Sequence, residues 1–183
     1  SSVVIALAVS IGLFVLLPTW LVGLCGHIIS NPIALNLIEG VMRIIMFIIY
    51  IVAISQMNDI KRVFQYHGAE HQTIHCYENG LELTPENCAS FETLHPRCGT
   101  SFLMFVMIIS LLLFSFLGWP NVWVRLLSRL VLIPVVAGLS YELLRWAGSS
   151  ESMVVKILSV PGLLLQKLTT KVPDKSMLEV AIV

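Results

Sequence analysis

Charge is what this sequence lacks most. Asp, Glu, Lys and Arg make up 12% of its 183 residues, where a soluble domain carries about a quarter. So few charges cannot cover the surface of a water-soluble globule, and that class is excluded. The formal net charge is +0, which removes the electrostatic argument for a nucleic-acid partner. A signal-peptide pattern is missing too. The chain opens straight into an apolar run with no basic stretch and no Met, so it reads as beginning inside a longer protein. No internal repeat and no low-complexity tract interrupts it.

Apolar residues fill the space that charge leaves. The hydrophobic set reaches 57% and the mean hydropathy is +0.88. Runs over residues 3–24, 37–57, 102–118 and 126–144 predict about four transmembrane helices, each near the roughly 20 residues that span a bilayer core. Pro18 predicts a kink or an end in the first, and Gly26, Asn31 and Pro32 read as breakers after it. Glu39 and Arg43, four apart, read as a pair on one face of the second. Trp119 and Trp123 suit an interfacial belt. After Gly148 an amphipathic stretch, residues 153–168, interrupted at Pro161–Gly162, predicts a C-terminal helix lying on the membrane within an interfacial tail, 150–183. The fold class is therefore an all-α, polytopic membrane bundle forming a single domain over 1–183.

Residues 58–101 are the one long polar segment. Four crossings put it on the same side as the tail, with Lys61, Arg62, Arg97, Arg145, Lys156, Lys167, Lys171 and Lys175. The other side has Arg125, with Arg43 and Arg129 near helix ends. Positive charge accumulates on the cytoplasmic side, so the loop and tail are expected to face the cytoplasm. Thiols stay reduced there, and Cys76, Cys88 and Cys98 read as ligands or plain residues rather than disulfides. Cys25 lies across the membrane from them, and Cys88 and His27 read as loop and helix-end residues.

Within the polar segment the absence of proline from Asn58 to Cys76, with Asn58 or Asp59 as a cap, predicts a helix. His67, His71 and His75 then form a stripe four residues apart, with Glu78 near its continuation and Glu70 on its flank. His67-x-x-Glu70-His71 has the H-x-x-E-H form found in some zinc hydrolases. Two imidazoles one turn apart reach one metal, and a neighbouring carboxylate can take a proton from water. Where the chain re-enters the membrane, His95 and Cys98 are three apart and both can bind zinc. The expected metal ligands for Zn²⁺ are thus His67, His71, His95 and Cys98. Glu70 is the expected general base, and Arg97 the group that steadies an anion. Three readings stand side by side: surface histidines without metal, a closed structural zinc, and an open catalytic one.

At these residues a resemblance becomes specific. The run from Asp59 to Ile74 with Cys76-Tyr77-Glu78-Asn79-Gly80, then His95-Pro96-Arg97-Cys98-Gly99-Thr100-Ser101-Phe102, the stretch Pro134–Glu142 and the stretch Pro161–Thr170 resemble the YqhQ-like family. The resemblance covers the chain from about residue 37 onward. It implies a bacterial cytoplasmic-membrane protein built on a domain of unknown function and regarded as a metal-dependent enzyme. Members of that family begin with a Gly-rich segment, echoed here only by Ile38-Glu39-Gly40-Val41-Met42-Arg43 in the second apolar run. The family pattern varies at the position of His75, which therefore ranks below the other ligands.

Together these readings predict a zinc-dependent membrane enzyme, a hydrolase acting where cytoplasm meets bilayer. The rival is a non-catalytic subunit or assembly factor in a larger membrane complex, with zinc as a staple. The expected partners are the lipid bilayer and other membrane-protein subunits, not nucleic acid.

Overall fold

Asn31 and Pro32 start a helix rather than break one. The Asn31 side chain accepts the backbone N–H of Ile33 at 2.9 Å, and Pro32 fills the first helical position, where no N–H is needed. The result is α3 (Pro32–Ile54), five residues earlier at its start than the apolar pattern suggests. In the computed structural model, residues 2–25, 29–118, 120–150 and 152–183 are described. The readings at Gly26, His27 and Trp119, and at the side chain of Cys25, lie outside them.

Among the described residues every regular element is helical. Two of them, α1 (Ser2–Ile11) and α2 (Leu17–Cys25), are joined by a π-helical turn, Gly12–Leu16. The wider turn lies just before Pro18, whose ring would otherwise crowd the carbonyl four residues back. Proline is absorbed there without ending the helix. The chain continues with α3, α4 (Asn58–Glu78), α5 (Pro85–Ala89), α6 (Gly99–Ser115), α7 (Val122–Ser149), α8 (Met153–Thr169) and α9 (Lys175–Ile182). Among the described residues three helices are long and apolar enough to cross a membrane: Ser2–Leu24, Pro32–Ile54 and Val122–Ser149. The fourth apolar segment, α6, has 17 residues, about 26 Å of helix against a core of roughly 30 Å. These lengths, with outward apolar side chains such as Val3, Ile5 and Val131 left exposed, are compatible with a membrane protein.

The chain divides into two compact units. The first comprises residues 1–49 and 105–142, and its polar centre is Glu39, 1% exposed. Arg129 grips that carboxylate with both terminal nitrogens, Nη1 to Oε1 at 2.5 Å and Nη2 to Oε2 at 2.9 Å. Arg43 pairs with it on the same helix, and Thr19 donates its hydroxyl at 2.8 Å. Asn36 accepts from Arg129 at 3.1 Å and donates to the Gly118 carbonyl at 2.8 Å. The sequence-level pair of Glu39 and Arg43 is real but only half of the arrangement. A charge this deep requires such partners, because leaving one member of a buried pair alone costs about 3–5 kcal/mol.

The second unit comprises residues 50–104 and 143–183. Its apolar core joins Ala69 and Cys76 of α4, Cys88 of α5, and Met177 and Leu178 of α9. Cys88 is thus a buried core residue, not a loop residue. Helix α4 begins after Met57 without a side-chain cap, so neither Asn58 nor Asp59 plays the part expected of them. Asp174 caps α9 through the Met177 N–H at 3.0 Å, and Lys175 pairs with Glu86 of α5 at 2.6 Å. Helix α8 runs unbroken through Pro161 and Gly162. Gly162 is needed because a Cβ there would stand 2.6 Å from the Ser101 hydroxyl of α6.

Candidate metal centre

The second unit turns one face of α4 into a site. Phe64, Gly68, His71, Gln72 and Cys76 are buried along it, the spacing of a single helical stripe. Two stretches of chain, the non-helical residues 91–95 and the C-terminal end of α8 with the residues just after it, run beside this stripe and present carbonyl groups to it. On one side lies 91–95. There the Phe91 carbonyl accepts from Gln72 Nε2 at 2.6 Å, the Thr93 carbonyl meets His71 Nδ1 at 2.6 Å, and the Leu94 carbonyl meets His75 Nε2 at 2.8 Å. On the other side the Thr169 carbonyl meets His67 Nδ1 at 2.9 Å, and the Lys171 N–H donates to the Phe64 carbonyl at 2.9 Å. Gly68 permits that approach, since a Cβ would run into the Lys171 carbonyl oxygen.

A carbonyl can only accept, so each imidazole nitrogen facing one must carry the proton. In neutral form His67 and His71 therefore keep their lone pairs on Nε2, and His75 keeps its own on Nδ1. Metal-binding histidines are oriented by this device. His67 Nε2 stands 3.2 Å from Cys98 Sγ, and the His67 and His71 ring centroids are 4.5 Å apart. Donor atoms of His67, His71 and Cys98 all lie within 4.8 Å of one another. Ligands of one tetrahedral zinc at 2.0–2.3 Å stand about 3.3–3.6 Å apart, so this donor set fits one ion with small side-chain adjustments.

The thiol belongs to the same design. Cys98 sits at the N-terminal end of α6, where a helix favours negative charge. Burial alone would raise its pKa. Hydrogen bonds shared with His67 and His71, and those from the Thr100 hydroxyl at 2.8 Å and the Thr100 N–H at 3.4 Å, outweigh burial and bring it to about 5. The bond to Cys98 in turn raises His67 above the ordinary imidazole value against burial, with help from the Thr169 carbonyl. A thiolate beside two oriented imidazoles is a soft, anionic donor set suited to zinc.

His95 takes a different position from the one its spacing to Cys98 suggests. Its Nδ1 accepts the Arg97 N–H at 3.2 Å, and its Nε2 faces Glu78 Oε2 at 3.3 Å. It groups with His75 and Glu78, whose donor atoms also lie within 4.8 Å of its own. Its ring is still close to His71, 5.9 Å between centroids. Burial lowers its pKa, with the Glu78 hydrogen bond opposing and the charges of His75 and His71 adding to the fall. The guanidinium of Arg97 pairs with Glu78 Oε1 rather than standing free for an anion. Glu70, His67, His71, His95, Arg97 and Cys98 all line one open cleft of about 480 Å³, so the sequence-derived residues do converge.

Sequence reasoning missed Gln166. It is fully buried, and its side chain accepts the His95 N–H at 2.8 Å, donates to the His95 carbonyl at 2.8 Å and donates to the Ser101 hydroxyl at 2.6 Å. A lone glutamine in an apolar, amphipathic helix was the available signal. Gly148 was missed as well: a Cβ there would occupy the place of the Arg97 stem.

No solved structure matches this chain. Among curated proteins it is similar to the uncharacterized protein YqhQ of Bacillus subtilis (strain 168), 42% identical over 170 residues. That match covers 92% of this chain and 54% of the relative, so the chain spans about half the length of the curated protein it matches. Residues 1–183 match the family described as "Protein of unknown function (DUF1385)". A match over the full length and this degree of identity carry one conclusion: the chain belongs to the DUF1385 family.

Proposed function

We propose that this cleft holds zinc between His67, His71 and Cys98, and that the chain is a metal-dependent hydrolase working at a membrane surface. The observation that carries the reading is the count of donors. Three protein ligands converge while His95 Nε2 is turned to Glu78, which leaves a fourth position toward the cleft. An open position is the mark of catalytic rather than structural zinc. Bound there, zinc would supply Lewis acidity toward a substrate oxygen and acidify water. Glu70, exposed at the cleft one turn from His67, takes the proton from the attacking water. Arg97 holds Glu78 in place beside the ligands.

A structural zinc is the second reading, because His95 stands one ring away from His71 and would close the site by leaving Glu78. In that case the chain serves as a subunit or assembly factor of a membrane complex. In either case we place α6 as a fourth crossing beside the three longer spans, in a bacterial cytoplasmic membrane. The polar loop faces the cytoplasm, and α8 and α9 lie at the interface. The asymmetry of Lys and Arg supports that orientation.

Glu70→Gln tests the catalytic role. Purified protein is assayed with p-nitrophenyl phosphate and p-nitrophenyl acetate, with zinc measured by mass spectrometry. Zinc content and helicity are expected to stay at wild-type levels while turnover falls at least about 10²-fold, the lower range for a general base. Hydrolysis unchanged by the substitution would refute the role of Glu70. Four protein ligands in the X-ray absorption spectrum would favour the structural reading.

A further inference from the structure

The cleft contains more donors than one ion uses. His75, Glu78 and His95 bring donor atoms within 4.8 Å of one another, with the His75 and His95 rings 4.7 Å apart. Each is positioned independently of the first donor set. The Leu94 carbonyl fixes His75 with its lone pair on Nδ1. Gln166 clamps the backbone of His95 on both its N–H and its carbonyl. Arg97 occupies Oε1 of Glu78 and leaves Oε2 toward His95.

We infer that His75, Glu78 and His95 form a second divalent-cation site beside the first, so that the cleft is a two-cation centre. Four imidazoles stand in succession here, His67, His71, His95 and His75, at centroid spacings of 4.5, 5.9 and 4.7 Å. Within this succession His67 and His71 keep a lone pair on Nε2 and His75 keeps one on Nδ1, nitrogens able to ligate cations. The two donor sets also differ in kind. The first has a thiolate, whereas the second has two nitrogens and a carboxylate oxygen, a set that suits zinc, iron, cobalt or manganese. Binding shifts the tautomer of His95: its ring proton passes from Nε2 to Nδ1 as the 3.2 Å bond from the Arg97 N–H is given up, and Nε2 and Glu78 Oε2 both become ligands. Arg97 then plays the part of an outer partner that orients a ligating carboxylate. His75, ranked low by sequence, becomes a ligand in its own right.

The inference rests on the zinc reading of the first site, and cobalt separates the two. Purified full-length protein, stripped by chelator, is titrated with Co²⁺ in detergent. Two equivalents are expected, one of which develops the near-ultraviolet thiolate-to-cobalt band. Glu78→Gln and His75→Asn should each lower the stoichiometry from two to one and leave that band in place. Cys98→Ser should abolish the band and keep one equivalent. Wild-type protein that saturates at one equivalent with the band overturns the second site alone, and needs no variant to fold. Two equivalents left intact in both folded variants, with helicity checked by circular dichroism, overturn it as well. Cobalt bound without the band overturns the first reading and this inference with it.

Discussion

Replacing Gln166 with leucine perturbs the frame of the cleft without touching a donor atom. The side chain is 0% exposed and makes three hydrogen bonds, two of them to the backbone of His95, itself 4% exposed. Leucine fits the volume roughly but leaves the N–H of His95 without a partner, while the His95 carbonyl keeps the Cys98 N–H at 3.3 Å. A buried orphan costs about 1–3 kcal/mol, so the loss is about 2 kcal/mol at the middle of that range. The Ser101 hydroxyl can turn to a carbonyl of its own helix and adds little. In a chain of this length 1 kcal/mol moves Tm by roughly 2–4 °C, which gives an expected fall of about 4–8 °C. Thermal unfolding of the detergent-solubilised protein, followed by circular dichroism, reads it directly. Gln166→Glu supplies a signed control. Its buried carboxyl must be neutral to donate to the His95 carbonyl, so its folded pKa is raised. Its deficit should shrink as pH falls. A Gln166→Leu protein melting within about 2 °C of wild type would refute the assignment of this side chain as the brace of His95.

Two further outcomes follow from the same unit. Gly68→Ala drives a methyl into the Lys171 carbonyl, an overpacking worth about 1–3 kcal/mol. Tryptic cleavage after Lys171 should accelerate, and zinc affinity should fall about 10–100-fold as the Thr169 carbonyl leaves His67; unchanged cleavage would count against it. Cys98 gives a pH dependence in the metal-free protein. Its folded pKa of about 5 lies below the ordinary value of 9.0, so the unfolded chain binds the extra proton between the two. The stability that the thiolate adds is therefore complete above 9, declines as pH falls, and is gone below about 5. The Tm difference between wild type and Cys98→Ser should grow from pH 5 to pH 9, and a flat difference would contradict the thiolate.

Much of the site was legible because helical periodicity is a local property. His67 and His71 lie four apart on a proline-free stretch, and that alone puts them on one face. Cys98 was legible by chemistry, as a thiol at the start of an apolar helix. The position of His95 was not. Its spacing to Cys98 allowed a shared ion, but the Arg97 N–H and the Gln166 amide turn it to Glu78. The first is a local turn contact two positions apart, but the second depends on tertiary packing across 71 positions. The same limit hid the grip of Arg129 on Glu39, 90 positions apart. Pro18 and Pro161 read as interruptions because proline removes a donor. A π-helical turn absorbs the first, and α8 simply continues through the second. Helix starts shifted where capping chemistry overrode hydropathy, as Asn31 and Pro32 show.

The carbonyls beside α4 belong to Thr93, Leu94 and Thr169, yet every amino acid possesses that group. Substitution at those three positions should leave the imidazoles aimed as they are, so long as the main chain keeps its course. A single-residue insertion or deletion between Cys88 and His95 would instead slide the carbonyls out of step with the histidine stripe. Relatives of this chain should therefore differ freely in letters along that stretch and hardly at all in its length.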